Sequence, residues 1–169
     1  MLVTDRGTFL HIPKTGGTSI RRALLGREVS EVLPMGEDAT ARHRFHWIGR
    51  DRPEGTIFTV VRHPADWMSS YWKMRRHEGA LDPRKRLDQL WCDDMSRFAE
   101  AVIDHASGYV SRMFAAYAGA YESVTVYRLE DGLGHITGAR ENVRHGSKIS
   151  GELRRRIEAA ESQAMEAWY

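Results

Sequence analysis

The sequence predicts an α/β fold, a small central parallel sheet flanked by helices, and three observations carry that reading. Runs rich in β-branched and aromatic residues recur at Thr8-Phe9-Leu10-His11-Ile12, Thr56-Ile57-Phe58-Thr59-Val60-Val61 and Val124-Thr125-Val126-Tyr127-Arg128-Leu129. Helical patterns lie between them, the alternation that builds a parallel sheet. The chain has 169 residues with no repeat and no low-complexity linker, so one domain over 1–169 is expected.

Residues 8–26 hold the first strand and helix, joined by a glycine turn. Val29 to Leu33 reads as a short strand or extended loop, Met35 to Thr40 as a polar turn, and Ala41 to Gly49 as a short helix. The second core strand falls near 56–62, where Pro64 prevents simple continuation of the ladder. A helix follows over 65–78, with Trp67, Tyr71 and Trp72 spaced to bury one face. Asp82-Pro83 breaks the chain. A long helical stretch, with Cys92 inside it, then runs to about His105, and another covers Tyr109 to Tyr117. The third strand ends in Glu130 and Asp131, which suit a structural role as caps or as partners of Arg128. A final helix starts near Ser150 and runs to the end.

Composition excludes several function classes. Twenty-five Lys and Arg face 23 Asp and Glu, a net charge of +2 with the signs interspersed. That balance does not call for nucleic acid, and Arg75-Arg76 and Arg154-Arg155-Arg156 read as solvated helix faces. The single cysteine, Cys92, cannot form an intrachain disulfide. No basic segment leads into an apolar leader, and no apolar run approaches the roughly 18 residues of a membrane span. A soluble, cytoplasmic protein without a membrane partner is expected, its oligomeric state left open.

The segment His11-Ile12-Pro13-Lys14-Thr15-Gly16-Gly17-Thr18-Ser19 carries the most information. A lysine, two glycines and several hydroxyls at a strand-to-helix turn make a place to hold a phosphate. Glycines let backbone N–H groups approach an anion, and the helix N-terminus adds partial positive charge. The usual nucleotide loop places its lysine after the glycines, whereas Lys14 precedes them. The second strand ends in Val61-Arg62-His63-Pro64, with no carboxylate to hold magnesium. A magnesium-dependent phosphoryl transferase is therefore disfavoured, and no metal is expected. His43 and His46 form a His-x-x-His pair, but no third ligand of matching spacing follows.

Arg62 stands at a strand end and Ser70 eight positions later on the next helix. A guanidinium fork plus a hydroxyl can grip a second phosphate. Two anion sites at strand tips suit a nucleoside with phosphates at both ends, and ligands of parallel sheets sit at that edge.

Pro13-Lys14-Thr15-Gly16-Gly17-Thr18-Ser19 resembles the 5′-phosphosulfate loop of sulfotransferases, and Arg62 with Ser70 resembles their 3′-phosphate motif. The variant is similar to the Golgi-type carbohydrate sulfotransferases and their bacterial relatives, with weaker likeness at 124–131 and 142–148. The resemblance implies a three-layer, P-loop-like fold. It implies 3′-phosphoadenosine-5′-phosphosulfate (PAPS) as donor and a carbohydrate or small glycosylated metabolite as acceptor. Thr15, Gly16, Gly17, Thr18 and Ser19 would hold the 5′-phosphate, and Arg62 and Ser70 the 3′-phosphate. Arg144, Gly146 and Lys148 would close a late loop over the 3′-phosphate. Lys14 would stabilise the leaving phosphate.

An acceptor hydroxyl must lose a proton, and histidine suits that task near neutral pH. His43 and His46 lie between the two motifs. A histidine in this interval is the base in the 2-O-type relatives, and His43, seven residues before Arg50, is preferred. His63 sits in the 3′-phosphate turn, to touch the nucleotide or to serve the turn. Two other readings stay open: a nucleotide-dependent phosphoryl transferase and a non-catalytic nucleotide-binding module.

Overall fold

The computed structural model describes residues 2–4, 7–25, 55–79, 81–119, 121–137 and 149–169, so the elements expected between 29 and 49 lie outside the described residues. The chain forms two units, one of Met1–Arg62 with Phe114–Arg144, the other of His63–Met113 with His145–Tyr169. No described helix is long and apolar enough to cross a membrane.

The first unit carries a four-stranded sheet in the order β1 (Leu2–Thr4), β2 (Gly7–Leu10), β3 (Ile57–Val61), β4 (Val124–Arg128). β2, β3 and β4 run parallel, as the alternation predicts. β1, which the sequence reading lacks, pairs antiparallel with β2; three residues are too few to show a period. Every residue of β3 is buried, as for a strand covered on both faces. Its one polar member, Thr59, donates its hydroxyl to the Leu10 carbonyl at 2.8 Å, which removes the cost of burying it. The third strand stops one residue earlier than expected. Leu129 enters a single 3₁₀ turn, Leu129–Asp131, and Asp131 pairs with Arg128 at 2.8 Å.

Helix α1 (Gly17–Leu25) lays Ile20 and Leu24, one turn apart, on the sheet. They join Phe9, Phe58, Val60, Leu129 and Leu133 in one core, closed by Ile136 on α6 (Gly134–Thr137). Phe9 stacks on Phe58 with ring centroids 5.5 Å apart, and Tyr127 meets Phe58 edge-on. Each such buried ring contributes about 1.5–3 kcal/mol through area removed from water.

The second unit is helical. α2 (Pro64–Glu78) opens on a proline at its first position and closes on Gly79 in the left-handed region. Trp67, Tyr71 and Trp72 are buried as expected, with Tyr71 stacked between Trp67 and Phe98. The long helix expected up to His105 is instead α3 (Arg86–Gln89) and α4 (Met95–Ala106). Asp94 starts α4 by accepting from the Ser96 and Arg97 N–H groups at 2.8 and 3.0 Å. That cap outweighs helix continuity. Cys92 therefore lies in the break, where its carbonyl accepts from the Trp72 indole at 2.8 Å.

Arg75 is not on a solvated face. Its Nε lies 2.7 Å from the buried Asp88 carboxylate, which also accepts from the Tyr71 hydroxyl and from the Asp82 N–H. Burial, and then the bond to Asp88, push the Tyr71 phenol above its ordinary range. Arg76 lies over the Trp72 ring. Arg154 pairs with Asp66 and Glu158, and Arg156 with Glu100, tying α7 (Gly151–Ala160) to α2 and α4.

The final helix starts at Ser150, whose hydroxyl caps the Leu153 N–H, but it breaks at Glu161 into α7 and α8 (Ser162–Trp168). The Glu161 carboxylate turns inward to the first turn of α5 (Tyr109–Ala118). It accepts from the Val110 N–H at 3.1 Å, the Ser111 N–H at 2.8 Å and the Ser111 hydroxyl at 2.7 Å. A helix cap is here supplied from a residue far along the chain.

Glu161→Ala leaves three buried donors without that acceptor and is expected to cost about 2–4 kcal/mol in a urea titration. Burial holds the Glu161 carboxyl above its ordinary 4.5, against the opposing pull of the Ser111 and Val110 bonds. The native state thus keeps this proton to higher pH than the unfolded chain. The stability linked to it is complete below 4.5 and is lost as pH rises through the raised native value. The stability advantage of wild type over Glu161→Gln should accordingly shrink as pH rises above 4.5 and through the raised native value.

Candidate functional site

β2 ends at Leu10 and α1 begins at Gly17, so residues 11–16 must turn the chain from sheet to helix at the carboxyl end of the strand. Lys14 sits at φ +66° and Gly16 at φ +82°. The left-handed region is natural for glycine, but for lysine it crowds the β-carbon against the carbonyl at about 1–2 kcal/mol. Such strain persists where the surroundings over-determine it, and it collects at functional sites.

Three contacts hold the turn. The Thr15 side chain is fully buried and donates to the Ile12 carbonyl at 2.9 Å, so its hydroxyl shapes the loop from within. The Gly16 carbonyl accepts from the Ser19 and Ile20 N–H groups at 3.0 and 3.1 Å, which starts the helix. The Arg62 guanidinium, one residue past β3, donates from Nη1 to the Lys14 carbonyl at 3.3 Å. The two sequence motifs therefore meet at one end of the sheet, the guanidinium of one on the backbone of the other.

The two glycines are needed for different reasons. A β-carbon on Gly16 would stand 2.9 Å from Leu129 Cδ1, in addition to its left-handed φ. A β-carbon on Gly17 would stand 1.8 Å from Nε2 of His11. Thr18 and Ser19 are exposed on the first turn of α1; the Ser19 N–H is already bonded to Gly16, so that turn offers an anion the Gly17 and Thr18 N–H groups and the positive end of the helix. Two cations, exposed hydroxyls and a helix N-terminus make a concentrated donor set for an anion.

Lys14, Thr15, Gly16, Gly17, Thr18, Ser19 and Arg62 are thus brought together in the first unit. Ser70 is half-buried on α2 in the second unit. His43, His46, Arg144, Gly146 and Lys148 lie outside the described residues. Among the described residues, no three His, Cys, Asp or Glu side chains gather as metal ligands.

His63 has a turn role. Its Nδ1 accepts from the Ala65 N–H at 3.3 Å and so caps α2. Its Nε2 lies 3.1 Å from the Glu158 carboxylate, and its ring meets Tyr169 edge-on. An Nδ1 that accepts assigns the ring proton to Nε2, which then donates to Glu158.

The left-handed Lys14, the Arg62 bond to its carbonyl and the seat of His11 against Gly17 are absent from the sequence reading. Two adjacent glycines signal close approach, but they do not say what approaches. Comparison of the chain with protein-family models, with curated proteins and with solved structures gives no match.

Lys14→Gly relieves the crowding at φ +66° while freeing the unfolded chain, so its stability should equal wild type or exceed it by up to about 1 kcal/mol. Anion affinity should fall in the same variant. Gly16→Ala should cost about 1–2 kcal/mol or more, because it adds strain and a clash with Leu129. Thermal denaturation of the two variants beside wild type checks both signs.

Proposed function

We propose that this chain is a sulfotransferase that moves a sulfuryl group from PAPS to an acceptor hydroxyl. The observation that carries the reading is the bond from Arg62 to the Lys14 carbonyl at 3.3 Å, which joins the two phosphate motifs at one sheet edge. One ribose separates the 5′- and 3′-phosphates of the donor, so two motifs joined this closely suit its two ends.

Lys14 and the first turn of α1 would hold the 5′-phosphosulfate, with Thr15 and Gly16 shaping the turn and Gly17, Thr18 and Ser19 facing the anion. Arg62 would take the 3′-phosphate, with Ser70 assigned to it by the motif. The acceptor oxygen forms a bond to sulfur as the bond from sulfur to the bridging phosphate oxygen breaks. Lys14 neutralises the charge that grows on that oxygen. The acceptor proton passes to a histidine, His43 in preference to His46. Arg144, Gly146 and Lys148 complete the 3′-phosphate grip in this proposal. The acceptor is a hydroxyl on a carbohydrate or a small glycosylated metabolite, and the fold is of the three-layer, P-loop-like kind. The lack of a carboxylate at the end of β3 favours sulfuryl over magnesium-dependent phosphoryl transfer.

Calorimetric titration of adenosine 3′,5′-bisphosphate, ADP and AMP into wild type and Arg62→Ala tests the reading. Wild type should prefer the bisphosphate, and the variant should lose that preference by about tenfold or more, as for a charge-assisted fork. Equal binding of ADP and the bisphosphate would refute it. His43→Ala should keep nucleotide affinity and lose sulfuryl transfer from labelled PAPS; retained turnover would move the base to another residue.

A further inference from the structure

The seat of His11 has a consequence for the loop that no motif states. His11 follows β2 directly, and its ring stacks on Phe9 with centroids 5.9 Å apart and planes 21° from parallel. Phe9 is fully buried in the core under α1. The imidazole edge that faces α1 is the Nε2 edge, and Nδ1 is turned into the interior, away from water. Nε2, Cδ2 and Cε1 would all lie within 2.6 Å of a β-carbon on Gly17. The ring therefore occupies the space that any side chain at position 17 would need. Gly17 is the first residue of α1, so the contact sets how closely the helix N-terminus sits on the strand tip.

We infer that His11 is a positioning residue for the anion loop, a flat floor matched in size to the missing side chain of Gly17. Phe9 holds the plane of the ring, and the ring holds the first turn of α1. That turn carries the Gly17 and Thr18 N–H groups and the exposed Thr18 and Ser19 side chains. Lys14, bent into its left-handed turn, is fixed from the other side by Arg62. The floor and the brace together define one loop geometry. This inference rests on the loop being the anion site proposed above.

A double-mutant cycle on the full-length chain tests it, with inorganic pyrophosphate and adenosine 3′,5′-bisphosphate as probes in calorimetry. Circular dichroism confirms folding of each variant at the working temperature. Gly17→Ala should weaken pyrophosphate binding by about tenfold or more, because the helix start must lift off the ring. His11→Ala should weaken it several-fold. In the His11→Ala background, adding Gly17→Ala should change affinity by less than about twofold, since the obstructing ring is gone. His11→Gln, a flat side chain of similar reach, should keep affinity within about threefold of wild type. It carries the test if Gly17→Ala does not fold. An equal Gly17→Ala penalty with and without the imidazole would overturn the inference, and so would wild-type affinity in His11→Ala. Pyrophosphate binding without preference for the bisphosphate would overturn the donor assignment alone. Failure of wild type to bind either probe would overturn both.

Discussion

The parallel register of β2 on β3 is the constraint on which the candidate site depends. Leu10 is aligned with Thr59, and the Thr59 hydroxyl locks that alignment by donating to the Leu10 carbonyl. A slip of one residue would turn that hydroxyl to the opposite face and bury it without its acceptor. With the register fixed, both strands finish at one edge. The loop after β2 and Arg62 after β3 then emerge side by side, close enough for the guanidinium to reach the Lys14 carbonyl. The cationic character of the site thus follows from a strand alignment made in the core.

The second unit solves another problem, that of packing short helices which carry many charges. It does so partly with buried carboxylates that each gather several donors. Asp88 gathers a phenol, a guanidinium and a backbone N–H from three parts of the chain. Glu161 supplies the first turn of α5 with acceptors. Both carboxylates stand where an apolar residue would pack but would not select one arrangement of the helices. Leaving one partner out costs more than the whole network gains, so such clusters favour a single packing over near alternatives.

Much of this was legible in the sequence, and the remainder was hidden for identifiable reasons. The three parallel strands announced themselves by β-branched runs, and α2 by its proline start and aromatic face. The loop was legible because Lys14, Gly16 and Gly17 are residue types with few other uses in that order. The break at Asp94 had a local signal, an aspartate that caps a helix better than it continues one, and it was read through; the break at Glu161 had none, since there a side chain that suits a helix bonds to backbone N–H groups instead. At Glu161 those groups lie about fifty positions away in the chain, beyond any local pattern. Arg75 misled for a similar reason: a basic pair on a helix is ordinarily solvated, and only the fold brings Asp88 to it. The backbone of Lys14 had no local signal either, because nothing in its neighbours demands a left-handed lysine. Only the fold brings the Arg62 guanidinium to its carbonyl.

β1 has a role out of proportion to its three residues. A parallel strand at the margin of a sheet offers a row of unmet N–H and C=O groups to any passing chain, and β2 would be such a margin without it. By running antiparallel along Leu2–Thr4, β1 takes up that row and leaves a short, blunt rim in its place. The strand that leads into the candidate loop thereby has both of its margins paired.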